Sequence, residues 1–336
     1  MKQIWIKCIR TVLLSLLVSS CSMELLEHKE TQSAPIQVGI HAGGVQTRTE
    51  MLQNGLSAMW NAGDEIAVWA LGSNGRYILS NQVFETYGLD DGHAYFTSVL
   101  DSPMPEGRYT YYCSYPAPLS ATGTILDFML PTDQDGKVSG GADIMLATPV
   151  SHGALTPLKE EEDHSGMTLE MNRMLHQFRF WVPAENHLLD GTSIERMVLT
   201  FPVPVAGNVQ VDASNPSKAP VLTSGYKEIT LDLKEPISSA RQNYACVALL
   251  PVTFPQGQSL QIKAYTSDKI VKIDPVDLRG KTCLPGHSTP VMLMVKSGSE
   301  FPYRLTVKVG SNNLGEDPNS IRIQAPSGCI WTVPLP

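Results

Sequence analysis

The stretch IQVGIHA, residues 36–42, decides the fold. Ile36, Val38 and Ile40 alternate with other residues, so a period of two places them on one face of an extended strand. The same alternation recurs outward from it. In the first half it marks EIAVWAL (65–71), AYFTSVL (94–100), RYTYYCSYP (108–116), TILDFML (124–130), MTLEM (167–171) and HQFRFWV (176–182). In the second half it marks SIERMVLTFP (193–202), NVQVD (208–212), KEITLDL (227–233), NYACVALLP (243–251), SLQIKAYT (259–266) and KIVKID (269–274). VMLMVK (291–296), YRLTVKV (303–309), SIRIQ (320–324) and CIWTV (329–333) complete the series.

Turn residues separate these runs: Ser73-Asn74-Gly75, Asp90-Asp91-Gly92, Pro105-Glu106-Gly107 and Asp133-Gln134-Asp135-Gly136. Glycine and asparagine accept the positive φ of tight hairpins. Long stretches with a 3.6-residue period are absent, and short runs at this spacing indicate sandwiches or barrels. The 24 prolines sit mostly at the ends of runs, where a missing donor does little harm. The pattern pauses at VPAENHLLDGTS (182–193) and restarts. The expected architecture is all-β: two tandem antiparallel β-sandwich domains, residues 36–185 and 186–336, after a lipoprotein signal peptide.

Lys2, Lys7 and Arg10 precede the apolar run TVLLSLLVSS (11–20), which is too short to span a bilayer. It has the length and flanks of a secretory signal. Leu17, Val18, Ser19 and Ser20 before Cys21 resemble a bacterial lipobox, so residues 1–20 read as a signal peptide and Cys21 as the lipidation site. A diacylglyceryl group with an amide-linked chain exceeds the two-chain requirement for stable anchoring. The alternative is an ordinary signal that contains a cysteine. Residues 21–35 read as a flexible tether.

The formal net charge of −8 and the lack of a basic stripe argue against nucleic-acid partners. Six cysteines are present; Cys8 falls in the signal and Cys21 takes lipid. Cys113, Cys246, Cys283 and Cys329 show no metal-ligand spacing. Buried free thiols are the default reading, and a Cys283–Cys329 disulfide is the alternative. No GxSxG, HExxH, P-loop or GxGxxG motif occurs, so no catalytic residue is assigned and the chain reads as a non-enzyme. DQDG (133–136) begins like a calcium loop but lacks the remaining ligands, and reads as a turn. KEEEDH (159–164) reads as a charged loop, and His152, His164 and His176 share no metal-binding spacing. No cofactor or metal is implied. His176 is expected to hydrogen-bond inside a sandwich.

Four segments together resemble the fimbrillin family, the lipoprotein subunits of type V pili in Bacteroidales. They are TRTEMLQNGLSAMWNAGDEIAVWA (47–70), EGRYTYYCSYP (106–116), ADIMLAT (142–148) and HQFRFWV (176–182). The first carries Thr47-Arg48, Trp60 and Gly63-Asp64 in the family's order. Their residue types also suit plain structural roles: Trp60 as a core anchor, Gly63-Asp64 as a turn, Tyr111 and Tyr115 as packed aromatics.

The resemblance implies two transthyretin-like domains, export as an outer-membrane lipoprotein, and a cut by a trypsin-like protease between Arg48 and Thr49. Loss of residues 36–42 would then open a groove for a strand from another pilus subunit. The tail SIRIQAPSGCIWTVPLP (320–336) is a candidate donor, or simply carries the last core strand. A surface receptor on a host or another bacterium is a further implied partner. The competing function is a lipid-anchored glycan-binding or adhesion protein, for which exposed tryptophans would be the telltale.

Overall fold

The computed structural model describes residues 34–43, 50–51, 58–90, 93–138, 140–159, 166–184, 192–241, 243–267, 269–300, 306–309, 320–324 and 330–334. Among these the chain is all-β, and the only helical element is the 3-10 turn Gly140–Ala142.

Seven strands of the first half close on themselves. Around the ring they run Met145–Ala147, Met167–Arg173, Ile36–Gly43, His93–Leu100, Tyr77–Asp90, Glu65–Gly72 and Arg108–Tyr115. Met145 and Leu146 then pair with Tyr115 and Ser114, which completes the circuit. Val150–Gly153 continues along the same edge of Arg108–Tyr115. The interior is apolar, with Val38, Ile40, Ile66, Val68, Phe84 and Phe96 in one buried cluster. The alternation read at 36–42 is the inward face of a strand in this ring.

Glu65–Gly72 and Arg108–Tyr115 are buried on both faces. Ile66 and Val68 point into the ring, whereas Trp69 and Tyr112 join a second buried cluster on its outside. That cluster also gathers Phe128, Phe178, Phe201 and Phe254. Its strands form three further sheets. One is four-stranded: Val221–Tyr226, Ala206–Asp212, Ile125–Leu130 and Ser120–Thr122. Here Leu130 to Ile125 pair antiparallel with Gly207 to Asp212, so chain from both sides of position 185 shares a sheet. A larger sheet is built on Glu228–Ile237, Ile194–Thr200 and Ser259–Tyr265. A three-stranded one places His176–Trp181 between Ala245–Leu249 and Ser288–Met292. A last meander pairs Thr306–Val309, Ser320–Gln324 and Ile330–Pro334.

The DQDG segment is not a free hairpin turn. Asp133 and Gln134 pair in parallel with Thr230 and Leu231. The buried Gln134 amide takes the place of a strand partner for Ala248: its Oε1 accepts from the Ala248 N–H at 2.9 Å and its Nε2 donates to the Ala248 carbonyl at 2.9 Å. Asp135 lies 2.6 Å from the Lys234 ammonium. A short polar segment thus satisfies backbone groups that burial would otherwise leave unpaired.

Asp143 and Arg173 form a buried bidentate pair, with Arg173 Nε 2.9 Å from Oδ1 and Nη2 2.9 Å from Oδ2. Burial pushes the Asp143 carboxyl up and the guanidinium pulls against it. His176 is buried. Its Nδ1–H donates to the Leu284 carbonyl at 2.9 Å, which leaves Nε2 to accept from the Thr289 hydroxyl at 3.0 Å. That is the neutral ring, and burial lowers its pKa.

The unfolded chain takes up the His176 proton near pH 6.5, and the folded chain only at lower pH, so stability is lost as pH falls through that interval. Urea midpoints at pH 7 and pH 5 are expected to differ less for His176→Gln than for the parent chain.

Candidate functional site

The region with functional potential is the slot filled by Ile36–Gly43. On one edge all eight residues pair antiparallel with His93–Leu100, from Ile36 opposite Leu100 to Gly43 opposite His93. On the other edge Ile40 to Gly43 pair in parallel with Met167 to Glu170. The rest of that edge is closed by a strap, residues 154–158. Val38 bridges Pro157, and the Leu158 N–H donates to the Gln37 carbonyl at 2.9 Å.

Val38, Ile40 and Ala42 are fully buried in the ring. Ala42 stands opposite Ala94, also fully buried, so the inner face narrows there. The outer face carries Gln37, Gly39, His41 and Gly43. Gln37 Nε2 donates to the Thr97 hydroxyl at 3.0 Å, and that hydroxyl donates to the Val38 carbonyl at 3.1 Å. His41 meets the Tyr95 ring edge-on, centroids 4.7 Å apart. A Cβ on Gly39 would lie 2.8 Å from Leu158 Cδ2, and one on Gly43 would meet His93 Nδ1.

The residues that carried the family resemblance pack beside this slot. Trp60 is buried, edge-on to Phe96 at 5.1 Å and to Tyr115 at 5.3 Å. Gly63 has φ +83°, a conformation that favours glycine. Asp64 closes the turn by accepting from the Asn61 N–H at 2.7 Å, and it accepts from the Tyr115 hydroxyl at 3.1 Å. The Tyr111 hydroxyl donates to the Gly153 carbonyl at 2.7 Å, holding the start of the strap. These motif residues are structural, as their residue types suggested. Asp143 belongs to ADIMLAT, and its ion pair with Arg173 has no signal in sequence spacing.

Cys21, Arg48 and Thr49 lie outside the described residues. Arg48 falls in the connection between Ile36–Gly43 and Glu50–Met51. His164 and Cys329 also lie outside. His152 is exposed, with Nδ1 3.3 Å from the Gly153 carbonyl. Among the described residues no group of three His, Cys, Asp or Glu could hold a metal. Cys113, Cys246 and Cys283 are buried free thiols. Burial raises all three, Cys246 to about 12 and Cys283 to about 11. Such thiols stay protonated and unreactive. Trp60 and Trp69 are buried in the core. The tail pairs within the chain: Ser320–Gln324 lies between Thr306–Val309 and Ile330–Pro334.

No known family's sequence profile matches the chain, and no curated protein matches it in sequence. Its fold is shared with solved structures. A candidate cell adhesion protein from Bacteroides uniformis superposes with TM-score 0.50 at 15% identity, covering 78% of this chain and 96% of that one. A candidate cell adhesion protein from Bacteroides ovatus gives TM-score 0.49 at 14% identity, covering 80% and 97%. A fimbrial assembly protein from Parabacteroides distasonis gives TM-score 0.39 at 9% identity, covering 89% and 99%. At these identities the likeness to the Bacteroides uniformis protein shows a shared fold.

Ile40→Ala is expected to lower stability by about 2–5 kcal/mol, the cost of a buried aliphatic truncation. Gln37→Ala on the outer face is expected to stay within about 0.5 kcal/mol. Urea unfolding of the two variants checks the pair.

Proposed function

We propose that the chain is a structural or accessory subunit of a surface fimbria. The observation that carries the reading is the position of Ile36–Gly43. It is one strand of a closed ring, paired on both edges, it is the first described strand of the chain, and a candidate cut site at Arg48 follows it. Removing it would leave one long groove, with open ladder edges on His93–Leu100 and Met167–Glu170 and an apolar floor. An extended segment of a neighbouring subunit fits such a groove by β-augmentation: main-chain hydrogen bonds give affinity and alternate side chains give register. An open groove is an aggregation hazard, so filling must follow opening directly.

In this reading the chain is a two-part, transthyretin-like subunit, the ring being one part and the sheets around the second cluster the other. The precursor is exported as a lipoprotein, residues 1–20 are removed, and Cys21 anchors it in the outer membrane. A trypsin-like protease cuts between Arg48 and Thr49 and releases the first strand together with the lipid. A subunit that escapes the cut keeps both and acts as an anchor. The fold shared with a candidate cell adhesion protein supports a place at the cell surface. The glycan-binding or adhesion alternative is equally compatible with this fold: Trp60 and Trp69 are core residues, whereas Trp181 is half-buried.

The test is the N-terminal sequence and intact mass of protein sheared from its native cells. A start at Thr49 without lipid mass is the expected result for a strand-exchanging subunit. Acylated Cys21 on every molecule would remove the stalk role and leave an anchor or a tethered binder.

A further inference from the structure

Five segments of the chain read aliphatic–any–aliphatic–any–Ala: 38–42, 66–70, 209–213, 260–264 and 321–325. The first four are buried strands whose inward residues have these sizes. On the inner face the segments are close in size: Ile321, Ile323 and Ala325 would differ from Val38, Ile40 and Ala42 by one methylene, at position 38. The outer face differs. Only 38–42 has glycine at the second position; the others place Ala67, Gln210, Gln261 and Arg322 there.

A glycine inside a strand has poor intrinsic propensity and marks a close approach. At Gly39 the approaching group is Leu158. Its Cδ2, Cδ1 and Cγ would lie 2.8, 3.3 and 3.4 Å from an added Cβ. The main chain of Leu158 is held in place, since its N–H is bonded to the Gln37 carbonyl and its neighbour Pro157 bridges Val38, so a side chain at position 39 is accommodated only by rotating the half-buried Leu158 side chain out of its place. Gly43 is a weaker constraint, since the atom facing it is the tip of the exposed His93 ring, which can swing into solvent.

We propose that Leu158 is the specificity-determining residue of the slot. It admits a strand reading aliphatic–Gly–aliphatic–any–Ala and excludes one with a side chain at the glycine position. This inference rests on the strand-exchange reading for its biological meaning. Its consequence is that segment 321–325 of a second copy fits the slot on the inside and fails at Arg322 on the outside. The strand that replaces 38–42 then comes from a different subunit carrying glycine there.

A double-mutant cycle in the intact chain tests Leu158 whether or not any strand is exchanged. Gly39→Val is expected to lower the folding equilibrium constant about tenfold or more. Leu158→Ala in the same chain is expected to restore most of it. Additive effects of the two substitutions would overturn the assignment. The chain is then cut between residues 44 and 49 and refolded, free of the released segment, with labelled peptides. Peptide 34–45 is expected to bind the parent and the Leu158→Ala protein alike. Peptide 319–328 is expected to bind the Leu158→Ala protein about tenfold more tightly than the parent. Equal binding of 319–328 to both would overturn the selectivity. Failure of peptide 34–45 to bind either protein would instead overturn strand exchange and leave the result of the cycle standing.

Discussion

The structure depends on the two-sided pairing of Ile36–Gly43. Every backbone donor and acceptor at the middle of a closed ring needs a neighbour, because water cannot reach it. His93–Leu100 supplies one side. The other is divided between the parallel run Met167–Glu170 and the strap at Pro157 and Leu158. The same strand supplies Val38, Ile40 and Ala42 to the ring's core. Hydrogen bonding and apolar burial therefore rest on one short segment near the start of the described chain.

Much of this was legible in the alternation of apolar residues. The strands at 36–43, 65–72, 93–100, 108–115, 167–173 and 176–181 fall where the period of two placed them. Tyr77–Asp90 did not show itself, because Asn81 with φ +54° and the register shift between Thr86 and Gly88 break its pattern. VMLMVK is divided between Ser288–Met292 and Val295–Glu300, which belong to different sheets. A continuous apolar run does not announce where a strand changes neighbours. Ring closure through Met145–Tyr115 and the Gln134 clamp were equally silent. Both are contacts between segments far apart in sequence, and one is made by a polar side chain imitating backbone.

The candidate site was legible in outline only. The segment 36–42 and the arginine after it stood out through resemblance, and the structure locates that segment in the wall of the ring, between His93–Leu100 and Met167–Arg173. Leu158 had no signal at all. It lies half-buried in a strap of ordinary composition, and only its approach to Gly39 gives it weight. The residues most characteristic of the resemblance, Trp60, Gly63, Asp64 and Tyr115, pack against one another beside the slot. They shape the wall that an occupying strand would touch, so a motif can be structural and still determine how a site is built.

The parallel pairing of Ile40 with Met167 has a kinetic consequence. The two residues stand well over a hundred positions apart, and pairings of such sequence separation form late and slowly. A chain synthesised from its N-terminus presents 36–43 long before 167–173 exists to receive it. Until then the segment is an unaccompanied apolar strand with one hydrogen-bonding edge at most. The order of emergence thus exposes the ring's closing piece first and its seat last, and a carrier that shields nascent strands would act on this segment before any other.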